Sequence, residues 1–209
     1  MRALIVCGGT PPSKKLLRNE IEQANLIIGA DSGAHTIIGH GFTPDIVIGD
    51  LDSFHYANHE GMNVLHDPDQ ETNDLEKALA YALTKGATDC VVLGTLGKRI
   101  DHTVKNLSVL KKFNKKFSTI VYRDDYGDTG LITSPYSVKL PVGTVVSFMP
   151  LSGKATNITT KGVLYPLFGE SLEMGGRDGT SNTTTEEIMS VTFDDGDLAV
   201  FIGNGDKIR

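Results

Sequence analysis

Residues 45–53, DIVIGDLDS, join a short apolar run rich in β-branched side chains to a turn that carries two aspartates and a serine. A continuous run of this kind, without polar alternation, suits a strand buried on both faces. Further runs precede residue 124: ALIVCG (3–8) and LIIGAD (26–31) before it, then NVLHD (63–67), DCVVLG (89–94) and STIVYRD (118–124) after it. LLRNEIEQA, DLEKALAYALTK and HTVKNLSVLKKF lie between runs and repeat apolar residues every three or four positions, the period of a helix packed on one face. Only the third and fourth runs are too close for a long helix. The pattern predicts an α/β unit over residues 1–124: a mostly parallel, Rossmann-like sheet with helices on both faces.

Beyond residue 124 the helical period disappears. TGLITS, YSVKL, TVVSFMPL, ATNITTKGVLYPLF, EIMSVTF and DLAVFIG are separated by Gly, Pro and Asp-Gly turns. Short strands at this spacing predict an all-β sandwich over residues 125–209. YSVKLPVGTVVSF and SVTFDDGDLAVF read as hairpins, the second turning at Asp194–Asp197. Charge divides at the same place. Residues 1–123 carry 14 acidic and 14 basic side chains, and residues 124–209 carry 12 and 6, so the net charge of −6 belongs to the second half.

The 209 residues, 39% of them apolar, make enough chain for a core without staples and argue against disorder. The acidic balance argues against a nonspecific nucleic-acid binder, which needs basic groups for phosphate. Cys7 and Cys90 sit in apolar runs and read as core residues of a reducing compartment. MRALIVCGGTPP has too short an apolar run for a secretory leader, and no stretch reaches the ~18 apolar residues of a membrane span. These features predict a cytoplasmic protein that associates with neither nucleic acid nor membrane.

Acidic and polar groups fall where the strands end. LIIGA ends in Asp31, IVIG in Asp50-Leu51-Asp52-Ser53, and NVLH in Asp67-Pro68-Asp69-Gln70 followed by Asn73-Asp74; CVVLG leads into Gly97-Lys98-Arg99-Ile100-Asp101-His102. The carboxyl ends of parallel strands share one edge, where ligands bind. Two charges ~4 Å apart repel by about 4 kcal/mol at an effective dielectric of ~20, so this gathering of carboxylates calls for a cation. Asp50 and Asp52, two residues apart, would point to the same side of an extended chain. An all-oxygen set poor in imidazole favours Mg²⁺ with phosphate oxygens completing the shell.

Bland readings exist for each residue. Asp74 and Asp101 begin helices, where aspartate is a favoured cap, and Asn73 with Glu76 has capping-box spacing. Arg99 can fork onto phosphate or simply face solvent. Lys77 can reach a phosphate or pair with Asp74 one turn away. His35, His40, His55, His59 and His66 lack ligand spacing and read as surface or loop residues. GGTPPSKK (8–15) lacks the spacing of a phosphate-binding P-loop.

The ordered series ADSGA (30–34), GDLDS (49–53), DQETNDLEKAL (69–79) and GKRIDH (97–102) resembles the thiamine pyrophosphokinase family. GVLYPL (162–167), GTSN (179–182) and VTFDDGDLAVF (191–201) are similar to that family's carboxyl-terminal domain. The resemblance implies transfer of the pyrophosphoryl group of ATP to the hydroxyl of thiamine, with Mg²⁺, giving thiamine diphosphate and AMP. It also implies a homodimer with thiamine at the subunit interface and the second domain serving thiamine binding and dimerisation.

Carried over by position, Asp50, Asp52 and Asp74 would hold the metal. Asp31, Gln70, Lys77, Arg99, Asp101, His102 and Asn106 would line the nucleotide and hydroxyl region. Tyr165, Ser181 and Asn182 would meet thiamine, and Asp101 or Asp74 would orient its hydroxyl. The chain departs from the family pattern at Asn73, where Thr is usual, and at Lys98, where Gly is usual; it has no tryptophan. The rival readings of GDLDS are a metal-dependent phosphohydrolase or nucleotide-sugar transferase, and a non-catalytic nucleotide or thiamine sensor.

Overall fold

The computed structural model describes residues 1–54 and 61–205; His55 and His59 lie outside them. The chain divides into two compact units, Met1–Asp124 and Asp125–Arg209.

In the first unit the apolar runs form strands β1 (Arg2–Val6), β2 (Leu26–Ala30), β3 (Ile46–Gly49), β4 (Val64–His66), β5 (Asp89–Leu93) and β6 (Thr119–Arg123). They lie in the order β4-β3-β2-β1-β5-β6, and every adjacent pair is parallel. Helices α1 (Lys14–Gln23), α2 (Gly33–Gly39), α3 (Asp74–Thr84) and α4 (Ile100–Phe113) fall between them. Leu17 of α1 and Ile37 of α2 pack on Leu4, Val6, Val91 and Leu93. Ile5 and Val92, the alternate residues of the same strands, point to the other face and are equally buried. Burial on both faces is why these strands read as unbroken apolar runs.

The chain moves outward from β1 to β4, then returns to place β5 on the other side of β1. The strand order thus reverses between β1 and β5, and a crevice opens at the carboxyl ends of the strands around this point. The two loops are laced by main-chain bonds: Cys7 N donates to Leu93 O, Gly9 N to Gly94 O and Thr10 N to Leu96 O, each at 2.8 Å. A Cβ on Gly9 would stand 2.3 Å from Gly94 O, so only glycine permits this approach.

The second unit holds β7 (Gly127–Leu131), β8 (Tyr136–Lys139), β9 (Val145–Lys161), β10 (Phe168–Glu173), β11 (Gly179–Thr183), β12 (Ile188–Thr192) and β13 (Asp195–Gly203), with every pairing antiparallel. The long β9 fuses two runs that read as separate strands, and it serves both sheets of the sandwich. Its first half pairs with β11 and β13; its second half pairs with β10 and β12. Val146, Phe148, Ile158, Leu172, Met189, Val191, Leu198 and Val200 fill the space between the sheets.

Neither expected hairpin forms. β8 pairs with β12 and not with β9, because the turn between them sends its donors elsewhere: Leu140 N bonds Glu187 O and Gly143 N bonds Thr184 O. β12 and β13 each pair with β9, so the Asp194–Asp197 turn carries the chain from one sheet to the other. Local alternation identifies a strand, whereas its partner is chosen by packing across the whole sandwich.

Gly33 opens α2 directly over β1, and a Cβ there would stand 1.9 Å from Val6 O. That neighbour is backbone and cannot move aside. Gly33→Ala is expected to lower stability by about 1–3 kcal/mol through overpacking, read as an earlier midpoint in denaturant unfolding of the full chain.

Candidate active site

A cavity of about 680 Å³ opens at the carboxyl ends of the first unit's strands. Among the sequence-predicted residues, Asp31, Asp50, Asp52, Gln70, Asp74, Lys77, Arg99, His102 and Asn106 line it. Asp101 does not.

The aspartates are brought together by backbone geometry that the sequence pattern does not reveal. β3 stops at Gly49, so Asp50-Leu51-Asp52 is not an extended strand. Leu51 adopts φ 61°, a left-handed conformation unfavourable for a side chain of its kind. Asp52 N donates to Asp50 Oδ1 at 3.3 Å across that turn. Asp31 is also left-handed, at φ 42°, and its Oδ1 accepts from Phe54 N at 3.1 Å. Carboxylate oxygens of Asp31, Asp50 and Asp52 consequently lie within 4.8 Å of one another. Backbone strain of this kind is characteristic of functional sites.

Asp74 joins them from α3. A Cβ on Gly49 would stand 2.9 Å from both Asp31 Cβ and Asp74 Oδ1, so glycine at the end of β3 is what admits the two side chains. The helix start is fixed by the expected capping box: Asn73 Oδ1 accepts from Glu76 N at 3.0 Å, and Glu76 Oε2 accepts from Asn73 N at 3.2 Å. Asn106 then ties this start to the β5 loop. Its Oδ1 accepts from Asn73 Nδ2 at 3.1 Å, and its Nδ2 donates to Thr95 O at 2.7 Å. Asn106 is buried with its amide engaged, so it positions the two loops.

Burial pushes the Asp31 and Asp74 carboxyl groups above the usual carboxylate range, and neighbouring aspartates reinforce both shifts. Asp50 is held below that range, chiefly by Gln70, whose Nε2 donates to Asp50 Oδ2 at 3.2 Å. Lys77 is nearly fully buried; its Nζ donates to Asp67 O at 2.8 Å and lies 3.7 Å from Asp74 Oδ1. Arg99 Nε donates to Asp101 Oδ1 at 3.1 Å, and both side chains are exposed. That partnership turns the Asp101 carboxylate toward the guanidinium of Arg99, which lines the cavity where Asp101 does not.

The lining also includes Lys105, which the sequence reading passed over. The signal was available: His102 and Lys105 lie three residues apart and are therefore neighbours on the surface of α4.

In the second unit Tyr165 lies in a bend between β9 and β10 with its ring exposed, not in a packed strand. Asn182 grips its backbone: Oδ1 accepts from Tyr165 N at 3.0 Å, and Nδ2 donates to Tyr165 O at 2.8 Å. With a third bond from Thr183 N to Oδ1 at 2.8 Å, the buried Asn182 amide is committed to this clamp. Ser181 is exposed and left-handed at φ 58°, its N–H bonded to Ser147 Oγ at 3.0 Å.

Comparison with known families matches residues 17–122 to "Thiamin pyrophosphokinase, catalytic domain" and residues 135–198 to "Thiamin pyrophosphokinase, vitamin B1 binding domain". The chain belongs to the thiamin pyrophosphokinase family. Thiamine pyrophosphokinase 1 of Oryza sativa subsp. japonica is 27% identical over 205 residues, covering 83% of this chain and 77% of its own. Thiamine pyrophosphokinase of Bacillus subtilis (strain 168) is 26% identical over 202 residues, covering 93% and 94%. The crystal structure of the thiamine pyrophosphokinase from Bacillus subtilis superposes with a TM-score of 0.84 at 24% identity, over 98% of this chain and 100% of that one. The fold is thus the family's α/β domain followed by a β-sandwich, and the activity is the family's ATP-dependent pyrophosphoryl transfer to thiamine. The hydrolase, sugar-transferase and sensor readings of GDLDS are not favoured. No helix among the described residues is long and apolar enough to cross a membrane.

Because folding raises the Asp31 and Asp74 pKa values, the folded protein keeps protons that the unfolded chain has released. Stability contributed by these groups therefore falls as pH rises from about 4 through their folded-state values. Asp74→Asn removes one of these penalties. In chelator at neutral pH its Tm is expected to equal or exceed that of the unsubstituted protein; a lower Tm would mean that the pair with Lys77 outweighs the repulsion.

Proposed function

We propose that the cavity of the first unit is where the pyrophosphoryl transfer takes place, with ATP bound as its complex with a divalent cation. The observation that carries this reading is the convergence of Asp31, Asp50, Asp52 and Asp74 on one cavity wall. A set of hard oxygen donors, two of them pushed up by burial and mutual repulsion, fits Mg²⁺. Asp50, Asp52 and Asp74 would hold it, with Asp31 beside them. When bound, the ion supplies charge neutralisation at the phosphate oxygens.

The remaining work falls to the chain itself. The thiamine hydroxyl oxygen forms a bond to the β-phosphorus of ATP while the bond from that phosphorus to the α-phosphate oxygen breaks, releasing AMP; the hydroxyl proton passes to a cavity carboxylate, for which Asp74 remains, and from there to solvent. Such a transfer depends on alignment and on neutralising charge more than on covalent help. Arg99 offers a planar donor fork to phosphate, and Asp101 holds that fork in place; we assign Asp101 this positioning role in preference to contact with the hydroxyl. Gln70 orients Asp50, and Lys77 offsets charge beside Asp74. His102 extends the same lining toward the nucleotide.

Thiamine binding belongs, in this reading, to the second unit. Tyr165 offers an exposed aromatic face suited to a cationic thiazolium ring, and Ser181 a hydroxyl, while Asn182 holds the Tyr165 backbone. A homodimer completing the thiamine site and a cytoplasmic location are parts of the same proposal. The latter is supported by Cys7 and Cys90, both free and buried.

Incubation with ATP, Mg²⁺ and thiamine should yield AMP and thiamine diphosphate in equal amounts. ADP with thiamine monophosphate would overturn the assigned bond cleavage, and binding of both substrates without AMP would leave a sensor. Asp52→Asn, nearly isosteric at an exposed position, is expected to reduce turnover about a thousandfold with an unchanged unfolding transition. Retained turnover removes Asp52 from the site.

A further inference from the structure

The cavity has a basic lining as well as an acidic one. Lys77, Lys98, Arg99, His102 and Lys105 all border it. Lys77 and Arg99 already face carboxylates, Asp74 and Asp101. Lys98 and Lys105 reach the cavity from separate elements, and each is held there by a distinct acceptor.

Lys98 precedes α4 with φ 57°, a backbone region that glycine enters more readily than any residue with a Cβ. Its Nζ donates to Gly8 O at 2.6 Å, adding a side-chain bond to the main-chain lacing between the β1 and β5 loops. A lysine kept in a left-handed conformation at a cavity rim calls for a use. Lys105 lies one turn into α4, with Nζ 3.0 Å from Glu76 Oε2. The Glu76 side chain is 3% exposed, and it keeps two other donors, Lys112 Nζ at 2.7 Å and Asn73 N at 3.2 Å. The buried carboxylate is thus neutralised whether or not Lys105 stays on it. An ammonium carries three donors, so both lysines can engage a further acceptor without abandoning the protein.

We propose that Lys98 and Lys105 form a two-ammonium clamp on the polyphosphate of the nucleoside triphosphate. The clamp rests on the assignment of this cavity to ATP and adds two contacts to it. Its physical role is to offset the aspartate wall, which repels a triphosphate wherever the metal leaves charge uncompensated. Because the ammonium groups bind the polyphosphate and not the hydroxyl that attacks it, they act on nucleotide affinity.

The test is calorimetric titration of Mg-ATP into the full-length protein, which needs no turnover. Lys98→Gly and Lys105→Met are each expected to weaken binding about 5–20-fold at low salt, with the difference narrowing at high salt and Tm without nucleotide unchanged. Lys105→Arg should restore most of the affinity, and Lys115→Met, far along the chain from the cavity lining, should bind as the unsubstituted protein does. Under turnover the same losses should appear in the KM for ATP more than in kcat. Unchanged affinity in both variants overturns the clamp. So does a loss that comes with a lowered Tm and is not restored by arginine, since that marks a scaffold role. If the unsubstituted protein binds Mg-ATP but forms no AMP while both variants bind it more weakly, the reaction fails and the clamp stands; if it forms AMP and the variants bind normally, the reverse holds.

Discussion

Like charges held close together are the constraint on which the first unit is organised. Three carboxylates with oxygens inside 4.8 Å, and a fourth against Gly49, could each relax by turning outward to water. Three of them do not, because each is fixed by something other than the neighbouring carboxylates. Asp31 is tied by Phe54 N, Asp50 by Gln70 and Asp74 by its place in a capped helix turn. Leu51 and Asp31 add left-handed backbone, which is unfavourable and persists only where the surrounding fold determines it. The sheet therefore stores repulsion at one edge, and a cation bound there would find its ligands already gathered.

The opposing charge is arranged with the same economy of parts. α3 and α4 share Glu76, whose buried carboxylate takes Lys105 and Lys112 from one helix while capping the other. Asn106, on α4, reaches both Asn73 and Thr95. These few polar contacts tie α4 to the start of α3 and to the β5 loop beside the cavity. Lys105 is the dispensable member, since Glu76 keeps Lys112 and Asn73 N without it, whereas loss of the buried Asn106 amide would leave Asn73 Nδ2 and Thr95 O without this partner.

The parallel sheet was legible because strands buried on both faces leave unbroken apolar runs, and the acidic residues after them mark where those runs end. What could not be read was the reason for convergence. Asp50 and Asp52 come together through a turn at Leu51, whereas i,i+2 spacing suggests an extended chain. Lys105 escaped notice because a lysine on a helix is ordinarily a solvated surface residue; only its three-residue spacing from His102 on α4 sets it apart. In the sandwich, alternation identified most strands but not their partners. The polar runs FGESLE and GTSNT, which form β10 and β11, carried too little apolar signal to be seen.

The second unit shows why position in a motif does not settle a residue's part in the chemistry. Asn182 and Tyr165 meet across sixteen residues of intervening chain, and three of the Asn182 amide's hydrogen bonds go to the Tyr165 and Thr183 backbone. A buried amide with its oxygen accepting two bonds and its nitrogen donating one has little left for a ligand. The clamp instead turns the 164–166 bend outward, so that an aromatic side chain that would ordinarily seek the core is presented to solvent. In the proposed reading Asn182 acts on the vitamin through Tyr165, just as Asp101 acts on phosphate through Arg99. In both pairs the resemblance marks both residues, and the proposed reading makes one of them the support of the other.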